Sequence, residues 1–153
     1  MFKKDFIYIL LAILGAIGAA AIALLFLRFR HADGAYNRVL IIGSNSVSVS
    51  IADTEATRDQ GLSDTASLPA NAGKLFVFQT PGTPGFWMKD MNYGLDFVWI
   101  GSDMKIVAVT PNVADNTYPE IYYPPQSVQY VLEVNAGFST RHHLTVGEQT
   151  RLQ

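Results

Sequence analysis

The chain of 153 residues contains no cysteine. This absence excludes both a disulfide framework and any thiolate metal site. It does not assign a redox compartment, because proteins without cysteine occur on either side of a membrane. A domain of roughly 100–150 residues can bury a core without such links, so one domain of ordinary size is expected.

Clustered positive charge is also missing from most of the chain. Four basic residues, Lys3, Lys4, Arg28 and Arg30, lie near the amino terminus, with Asp5 among them. Without these five residues the chain keeps 7 of its 11 basic and 12 of its 13 acidic side chains. Nucleic-acid binding needs grouped Lys and Arg, so the sequence predicts no nucleic-acid partner.

Sequence signatures of several enzyme classes are absent. The chain has no HExxH, GxSxG, Walker or dinucleotide-binding motif. His142 and His143 are adjacent, and neighbouring side chains in regular structure cannot both face one metal ion. We therefore expect no metal and no cofactor, and a non-catalytic role is favoured over an enzymatic one.

The amino-terminal region is a long apolar run. Phe6 to Leu27 contains 22 residues and no charge. A helix of this length spans roughly 33 Å, which is enough for a hydrocarbon core of about 30 Å. A cleaved signal peptide is the alternative, with a weak cleavage site at Ala21-Ile22-Ala23, but Leu24 to Leu27 continue the apolar run. An uncleaved, single-pass anchor is favoured.

The domain organisation follows from this run. Residues 1–30 are the predicted anchor with its flanks, residues 31–37 a linker, and residues 38–153 one globular domain. Positive charges lie on both sides of the apolar segment, so the positive-inside rule is nearly balanced. The short basic head before a first apolar segment favours an extracytoplasmic domain on the cytoplasmic membrane.

Two patterns in the domain are typical of β-strands: alternation of apolar with polar residues, and a nearly all-apolar run at Leu95 to Ile100, which predicts a strand covered on both faces. Val47, Val49 and Ile51 alternate with serines after a Gly43-Ser44-Asn45 turn, and they form a predicted hairpin with the strand at 38–42. A short helix at 55–60 is capped by Asp53 or Thr54 and ended by Gly61. Further strands are predicted at 75–78, 86–89, 95–100, 104–110, 129–134 and 146–152, with a helical turn at 136–142. The expected fold is mainly β with one or two short helices, either a compact β-barrel-like or a sandwich α+β domain.

Several sequence blocks follow one another along this domain. They are Ala52-Asp53-Thr54, Arg58 with Gly61-Leu62, Leu75 to Phe78, Phe86 to Lys89, Leu95 to Phe97, Tyr130 to Phe138, and Val146-Gly147. Together, over about residues 46–151, they resemble the DUF192 family, also called UPF0127, whose members are small bacterial and archaeal domains often found behind a signal or anchor. The resemblance implies a compact, mainly β fold and no established activity. Many relatives carry a cysteine pair where this chain has residues 112–117, so no thiol role carries over.

Five residues in these blocks are candidates for a binding site: Trp87, Lys89, Asp96, Glu133 and Asn135. Trp87 offers a flat apolar face and Lys89 a partner for anions, although a rim tryptophan covered by a lysine stem is equally ordinary. Asp96 lies in an apolar strand, where a carboxylate needs a charge partner, backbone donors or a shifted pKa. A structural ion pair or turn cap would satisfy it as well.

Glu133 and Asn135 share one strand face. Asn135 can simply cap the following turn, and Glu133 with Asp96 can serve acid–base chemistry only if the two carboxylates converge. The loop Tyr118 to Pro125 can stack sugars, hold an extended peptide, or cover the core.

Two functions follow from these candidates. The favoured hypothesis is a non-catalytic binding or accessory module for a glycan, a peptide or an envelope protein, with the five residues on one surface. The alternative is a small envelope hydrolase or lyase that uses Asp96 and Glu133, with Lys89 stabilising charge. Carboxylates on opposite faces of the domain would count against the alternative.

Overall fold

The computed structural model describes residues 36–153. The predicted anchor and most of the predicted linker lie outside these described residues. Tyr36–Gln153 forms one compact unit. No helix between residues 36 and 153 is long and apolar enough to cross a membrane.

The described domain is mainly β, with seven strands and two short helices. In chain order the elements are β1 (Arg38–Ile42), β2 (Asn45–Ala52), α1 (Glu55–Gln60), β3 (Ala72–Gly82), β4 (Leu95–Ile100), β5 (Ile106–Val113), β6 (Val128–Asn135), α2 (Phe138–Arg141) and β7 (Thr150–Leu152). The strands form a single curled sheet, a half-barrel, in the order β5-β4-β6-β3-β2-β1-β7. Of the two architectures expected from the sequence, the barrel-like one is therefore closer.

The two outer strands of this sheet also contact each other. Lys105, just before β5, forms an isolated antiparallel bridge with Gln149, just before β7. Backbone hydrogen bonds from Ile106 N to Glu148 O (3.0 Å) and from Thr150 N to Met104 O (2.7 Å) extend this contact. The curl of the sheet thus brings its two ends together at one point.

The β1–β2 hairpin confirms the alternation in the sequence. Val47 and Val49 are fully buried, and the side chains of Ser46 and Ser48 are exposed. Gly43 in the turn has φ +55°, a conformation that glycine adopts without a steric penalty. The last strand is shorter than predicted, because Glu148 accepts a hydrogen bond from Thr145 N (3.1 Å) and holds the preceding residues in a turn.

Helix α1 has the predicted bounds. The Thr54 side chain accepts a hydrogen bond from Thr57 N, and the Thr57 side chain accepts one from Thr54 N. Gly61 follows the helix with φ 50°. The helix connects β2 to β3, which pair in parallel, and parallel neighbours need a crossover of this kind.

Each side of the sheet carries its own core, named here by the helix beside it. The α2 face buries the side chains of Leu40, Ile42, Val47, Val49, Leu75, Val98, Ile100, Ile106, Leu132, Val134 and Phe138. The α1 face buries those of Ala52, Leu62, Leu68, Ala72, Phe76, Phe86, Met88, Leu95, Phe97, Trp99, Val113, Val128 and Val131. All six residues of β4 are buried, as its nearly all-apolar sequence predicted.

The segment at residues 86–89 is not the strand that was predicted. Phe86 forms one isolated antiparallel bridge with Tyr122, through hydrogen bonds of 2.9 and 2.8 Å, and the chain then turns. The expected alternation of buried and exposed side chains is nevertheless present, since Phe86 and Met88 are buried while Trp87 and Lys89 are exposed. The bridge partner lies in the aromatic loop, 36 positions along the chain, so local sequence could not show it.

Candidate functional site

Glu133 lies near the centre of the sheet, on the α1 face. In the register of β6 it is opposite Lys74 of β3 on one side and Phe97 of β4 on the other. Strands β3 and β6 approach closely here, because a Cβ atom on Gly73 would lie 2.7 Å from the Glu133 carbonyl oxygen. Glycine therefore lets β3 pack directly against the backbone that carries Glu133.

The Glu133 carboxyl group is buried with one oxygen unsatisfied. Its residue is 4% exposed, and Oε2 has no hydrogen-bond partner among the described residues. Burial raises the pKa of Glu133 to about 8, and the nearby charge of Lys74 offsets only part of that effect. At neutral pH the side chain is therefore mainly a neutral carboxylic acid.

This carboxyl group lines a cavity of about 160 Å³ between α1 and the sheet. The lining residues come from α1, β3, β6 and the two segments around residues 61–63 and 84–91. They are Arg58, Asp59, Gln60, Gly61, Leu62, Ser63, Phe76, Phe78, Pro84, Gly85, Phe86, Trp87, Met91 and Glu133. We call this cavity the Glu133 pocket.

Aromatic rings form much of the pocket wall. The rings of Phe76 and Phe86 meet edge to face, with centroids 4.8 Å apart and planes at 80°. Phe86 also packs edge to face on the buried Trp99, with centroids 5.5 Å apart. Such contacts fix the ring orientations, so the wall is preformed rather than adaptable.

The Arg58 side chain closes one side of the pocket and ties α1 to the sheet. Its Nη1 donates to the carbonyl oxygens of Asp53 (2.7 Å) and Val77 (3.0 Å). Its guanidinium carbon lies 5.3 Å from the centre of the Phe78 ring. These contacts give Arg58 a structural role at this wall, and Asp59 beside it carries the opposite charge.

An exposed apolar area lies beside the pocket. The bridge between Phe86 and Tyr122 places Trp87 next to Ile121, and these side chains are 43% and 45% exposed. Gly85 packs under Ile121 and Tyr123, since a Cβ there would lie 2.7 and 2.9 Å from their side chains. We call Trp87, Ile121 and Tyr123 the Trp87 patch. Trp87 belongs to both features, so the patch is continuous with the pocket.

Of the five residues predicted from the sequence, the structure brings Trp87 and Glu133 together in this pocket. Lys89 is exposed and does not line the pocket. Its carbonyl oxygen accepts a hydrogen bond from Ser63 Oγ (2.9 Å), which joins the segments on either side of the pocket.

Asp96 does not belong to the same surface, which corrects the prediction. It pairs with Val134 in the register and lies on the α2 face, opposite to Glu133. Its Oδ1 accepts from Asn112 N (2.7 Å) and Gly137 N (2.9 Å), and its Oδ2 from Ser139 N (2.8 Å) and Ser139 Oγ (2.6 Å). Asp96 is thus a buried cap that fixes α2 and the end of β5 to β4, as its alternative interpretation held.

Asn135 shares the α1 face with Glu133, as expected, but it holds a loop rather than lining the pocket. Its Nδ2 donates to the carbonyl oxygens of Leu68 (2.9 Å) and Pro69 (3.2 Å). Both acceptors lie in the connection between α1 and β3. Asn135 therefore positions the segment that leads away from the pocket.

Most of the pocket wall was not predicted from the sequence, above all Arg58 and the rings of Phe76 and Phe78. These residues lie in the blocks that carry the family resemblance, which was the available signal. Apolar residues in a strand, such as Phe76 and Phe78, and a basic residue near the end of a helix, such as Arg58, have ordinary structural explanations. Nothing in the local sequence therefore marks them as neighbours of Glu133.

Comparison with known proteins identifies the family. The model of the DUF192 family, described as uncharacterized ACR, matches residues 38–152. The chain belongs to the DUF192 family. The match extends over the whole described sheet, and the resemblance inferred from the sequence blocks is confirmed. No curated protein matches the chain.

Two solved structures share this fold of the DUF192 domain. A candidate transcription regulator from Sinorhizobium meliloti 1021 is 29% identical, with a TM-score of 0.69, over 74% of this chain and 90% of that chain. A protein of unknown function from Novosphingobium aromaticivorans DSM 12444 is 21% identical, with a TM-score of 0.70, over 74% of this chain and 83% of that chain. The second likeness concerns the fold alone.

Proposed function

We propose that this DUF192 domain is a non-catalytic binding module, and that the Glu133 pocket with the adjoining Trp87 patch is its ligand-binding site. The observation that carries the proposal is the buried Glu133 side chain, which lines a cavity with aromatic walls and whose Oε2 has no hydrogen-bond partner among the described residues. A buried polar atom without a partner costs free energy, and a ligand that supplies the missing hydrogen bond recovers it. Ligand sites characteristically combine apolar walls with a few placed polar groups.

The arrangement of the carboxylates favours binding over the hydrolase or lyase alternative. That alternative needs Asp96 and Glu133 to converge on one substrate, whereas they lie on opposite faces of the sheet. Both oxygens of Asp96 are already occupied by backbone and side-chain donors. An acid–base pair built from these two residues is therefore not available to a substrate.

The size of the site indicates which part of a ligand the pocket can hold and which part the Trp87 patch can hold. A cavity of about 160 Å³ holds one small group, not a whole peptide or oligosaccharide. The Trp87 patch offers apolar area for the remainder of a larger ligand. Among the ligand classes expected from the sequence, a peptide or a segment of an envelope protein fits this division best.

We also propose that the apolar run at residues 6–27 anchors the domain to the cytoplasmic membrane, with the domain outside. Its support is the length and charge-free composition of the run. Regulation of transcription is not carried over from the Sinorhizobium meliloti protein. Residues 38–153 contain 7 basic and 11 acidic side chains, a poor match for DNA.

The proposal is tested by NMR on the full-length chain in detergent, labelled at its two tryptophan indoles, Trp87 and Trp99. A set of small ammonium, alcohol, carboxylate and sugar fragments is titrated. We expect at least one fragment to shift the Trp87 signal saturably. Ser63→Phe, which fills the pocket, should abolish that shift, whereas Ser102→Phe in an exposed turn should not.

Binding that persists in Ser63→Phe would place the site elsewhere. A Trp87 signal that no fragment moves would overturn the proposal.

A further inference from the structure

We propose that the Glu133 pocket is selective for a primary ammonium group at the end of an aliphatic chain, with the ammonium held by the Glu133 carboxyl group. This inference rests on the proposed binding function and adds the chemical class of the ligand. It follows from the donor requirement of Glu133, from the walls around it, and from the charges that face it.

The first step is the unsatisfied oxygen. Glu133 Oε2 is buried and has no donor among the described residues, and the side chain that carries it lines the pocket. An ionised carboxylate accepts hydrogen bonds only, so its complement is a group rich in N–H or O–H donors. A positively charged donor binds a carboxylate more strongly than a neutral donor does, because charge-assisted hydrogen bonds are about twice as strong as hydrogen bonds between neutral groups.

The second step concerns the walls. Leu62, Phe76, Phe86 and Met91 line the same pocket, and their side chains offer apolar surface. A hydrocarbon chain behind the charged group would bury against them and contribute about 0.8 kcal/mol per CH2. A bare inorganic cation or a sugar ring would leave this surface unused or desolvate hydroxyl groups without partners.

The third step is the charge balance. Three charged residues line the pocket: Arg58, Asp59 and Glu133. The Arg58 guanidinium is held at the wall by two carbonyl oxygens and by the Phe78 ring, and Asp59 on the same helix opposes its charge. With Glu133 ionised, the lining itself carries one net negative charge, and Lys74, opposite Glu133 on β3 but outside the lining, offsets part of it.

The shape of the acceptor then distinguishes among cations. A compact ammonium brings three donors on a single nitrogen, and the Glu133 carboxyl group and the polar side chains of Gln60 and Ser63 in the lining offer acceptors for them. A planar guanidinium is larger and spreads five donors over three nitrogens, so it needs more acceptors within a cavity of about 160 Å³. A quaternary ammonium has no donor and would leave Oε2 unsatisfied.

Ammonium binding is expected to release a proton. The free pocket holds Glu133 mainly as the neutral acid, and binding converts it to the carboxylate while its proton passes to solvent and the ligand keeps its own. The charged or titratable groups that face Glu133 are Lys74 on β3, Arg58 on α1 and Tyr93 before β4. Affinity should therefore rise with pH until Glu133 is ionised in the free pocket, and then level off.

The test uses the full-length chain in detergent and three isosteric probes: n-butylammonium, n-butanol and butyrate. Dissociation constants are measured from the Trp87 indole signal between about pH 6 and about pH 9. We expect n-butylammonium to bind about tenfold or more tightly than the other two, with affinity that increases with pH. Glu133→Gln should weaken n-butylammonium about tenfold or more and remove the pH dependence, whereas the matched Glu148→Gln should change neither.

Other outcomes separate the two proposals. Tighter binding of butyrate or n-butanol, or n-butylammonium binding that Glu133→Gln leaves unchanged, would overturn the ammonium assignment while the binding module stands. No response of Trp87 to any of the three probes would overturn the ammonium assignment, and the fragment set above would then decide the binding function separately. A fourth probe, acetyl-Gly-Lys-Gly-amide, identifies the source of the ammonium: tighter binding than n-butylammonium indicates a lysine side chain of a peptide, and equal or weaker binding a free amine.

Discussion

Glu133 makes the stability of the domain depend on pH. Burial raises its folded-state pKa to about 8, far above the value of about 4.3 in an unfolded chain. Between these values the folded state holds a proton that the unfolded state releases, so unfolding becomes easier as pH rises. The contribution is largest below the unfolded pKa and is lost progressively as pH rises toward about 8.

We therefore expect the free energy of unfolding to fall by at most roughly 1.4 kcal/mol per pH unit between about pH 5 and pH 8. Glu133→Gln, which cannot ionise, should flatten this dependence and raise the melting temperature at alkaline pH. Urea unfolding across this range measures the slope. Equal slopes for the variant and the parent would show that the proton is held elsewhere.

Asp96 should contribute to stability rather than to ligand binding. Its side chain is fully buried and accepts four hydrogen bonds, and hydrogen bonds to a charged group are each worth about 1.5–3 kcal/mol. Asp96→Ala should destabilise the domain by about 3 kcal/mol or more, measured by chemical denaturation. Asp115→Asn, at an exposed loop position, serves as the control and should be neutral. A stable Asp96→Ala domain that has lost ligand binding would contradict the capping role.

At the scale of elements, the contact between β3 and β6 depends on Gly73. A methyl group there would lie 2.7 Å from the Glu133 carbonyl oxygen and 2.9 Å from Leu132 Cδ1, closer than real contacts allow. Gly73→Ala should therefore push the strands apart and cost about 1–3 kcal/mol of stability. Gly82→Ala is a matched control in the same strand, because nothing lies within 4 Å of the added atom. Thermal unfolding of the two variants would disprove the argument if their melting temperatures were equal.

Elements set by local pattern could be predicted from the sequence. The β1–β2 hairpin, the bounds of α1 and the burial of β4 follow from alternation, from the caps at Thr54 and Gly61, and from a nearly all-apolar run. Each depends on residues close together in the chain. The same local pattern predicted a strand at residues 86–89, where the structure has an isolated bridge between Phe86 and Tyr122.

The pocket depends instead on contacts that are distant in the chain. Trp87 and Glu133 were both selected, but nothing in their spacing showed that they share a cavity while Asp96 faces the other way. The side on which Asp96 points depends on its register with Val134, and the donors to its two carboxylate oxygens belong to residues 112, 137 and 139. Register between strands is a tertiary property, so it appeared only with the folded sheet.

At the scale of the whole molecule, the domain should fold without the amino-terminal segment. Tyr36–Gln153 is a compact unit with its own core on both faces of the sheet. Deletion of residues 1–30 should therefore give a soluble, folded protein with cooperative unfolding, measured by circular dichroism. An insoluble or unfolded product would contradict the division of the chain into anchor and domain.

The proposed orientation places the carboxyl terminus outside the cytoplasm. A reporter that is active only after export, fused after Gln153, should be active in cells. The same fusion to a cytoplasmic reporter, such as one that requires a reducing environment, should be silent. The reverse pattern would place the domain inside.

The contact between Lys105 and Gln149 bears on how the molecule behaves at high protein concentration. The outermost strands of an open sheet offer free amides and carbonyls on which a second molecule can add a strand, and such addition leads to aggregation. Here some of those amides and carbonyls, near the starts of β5 and β7, form hydrogen bonds with each other at Ile106, Gly147 and Thr150. The curl of the sheet thus pairs its two edge strands with each other at this point. This pairing protects a domain that has no disulfide from aggregation by strand addition there.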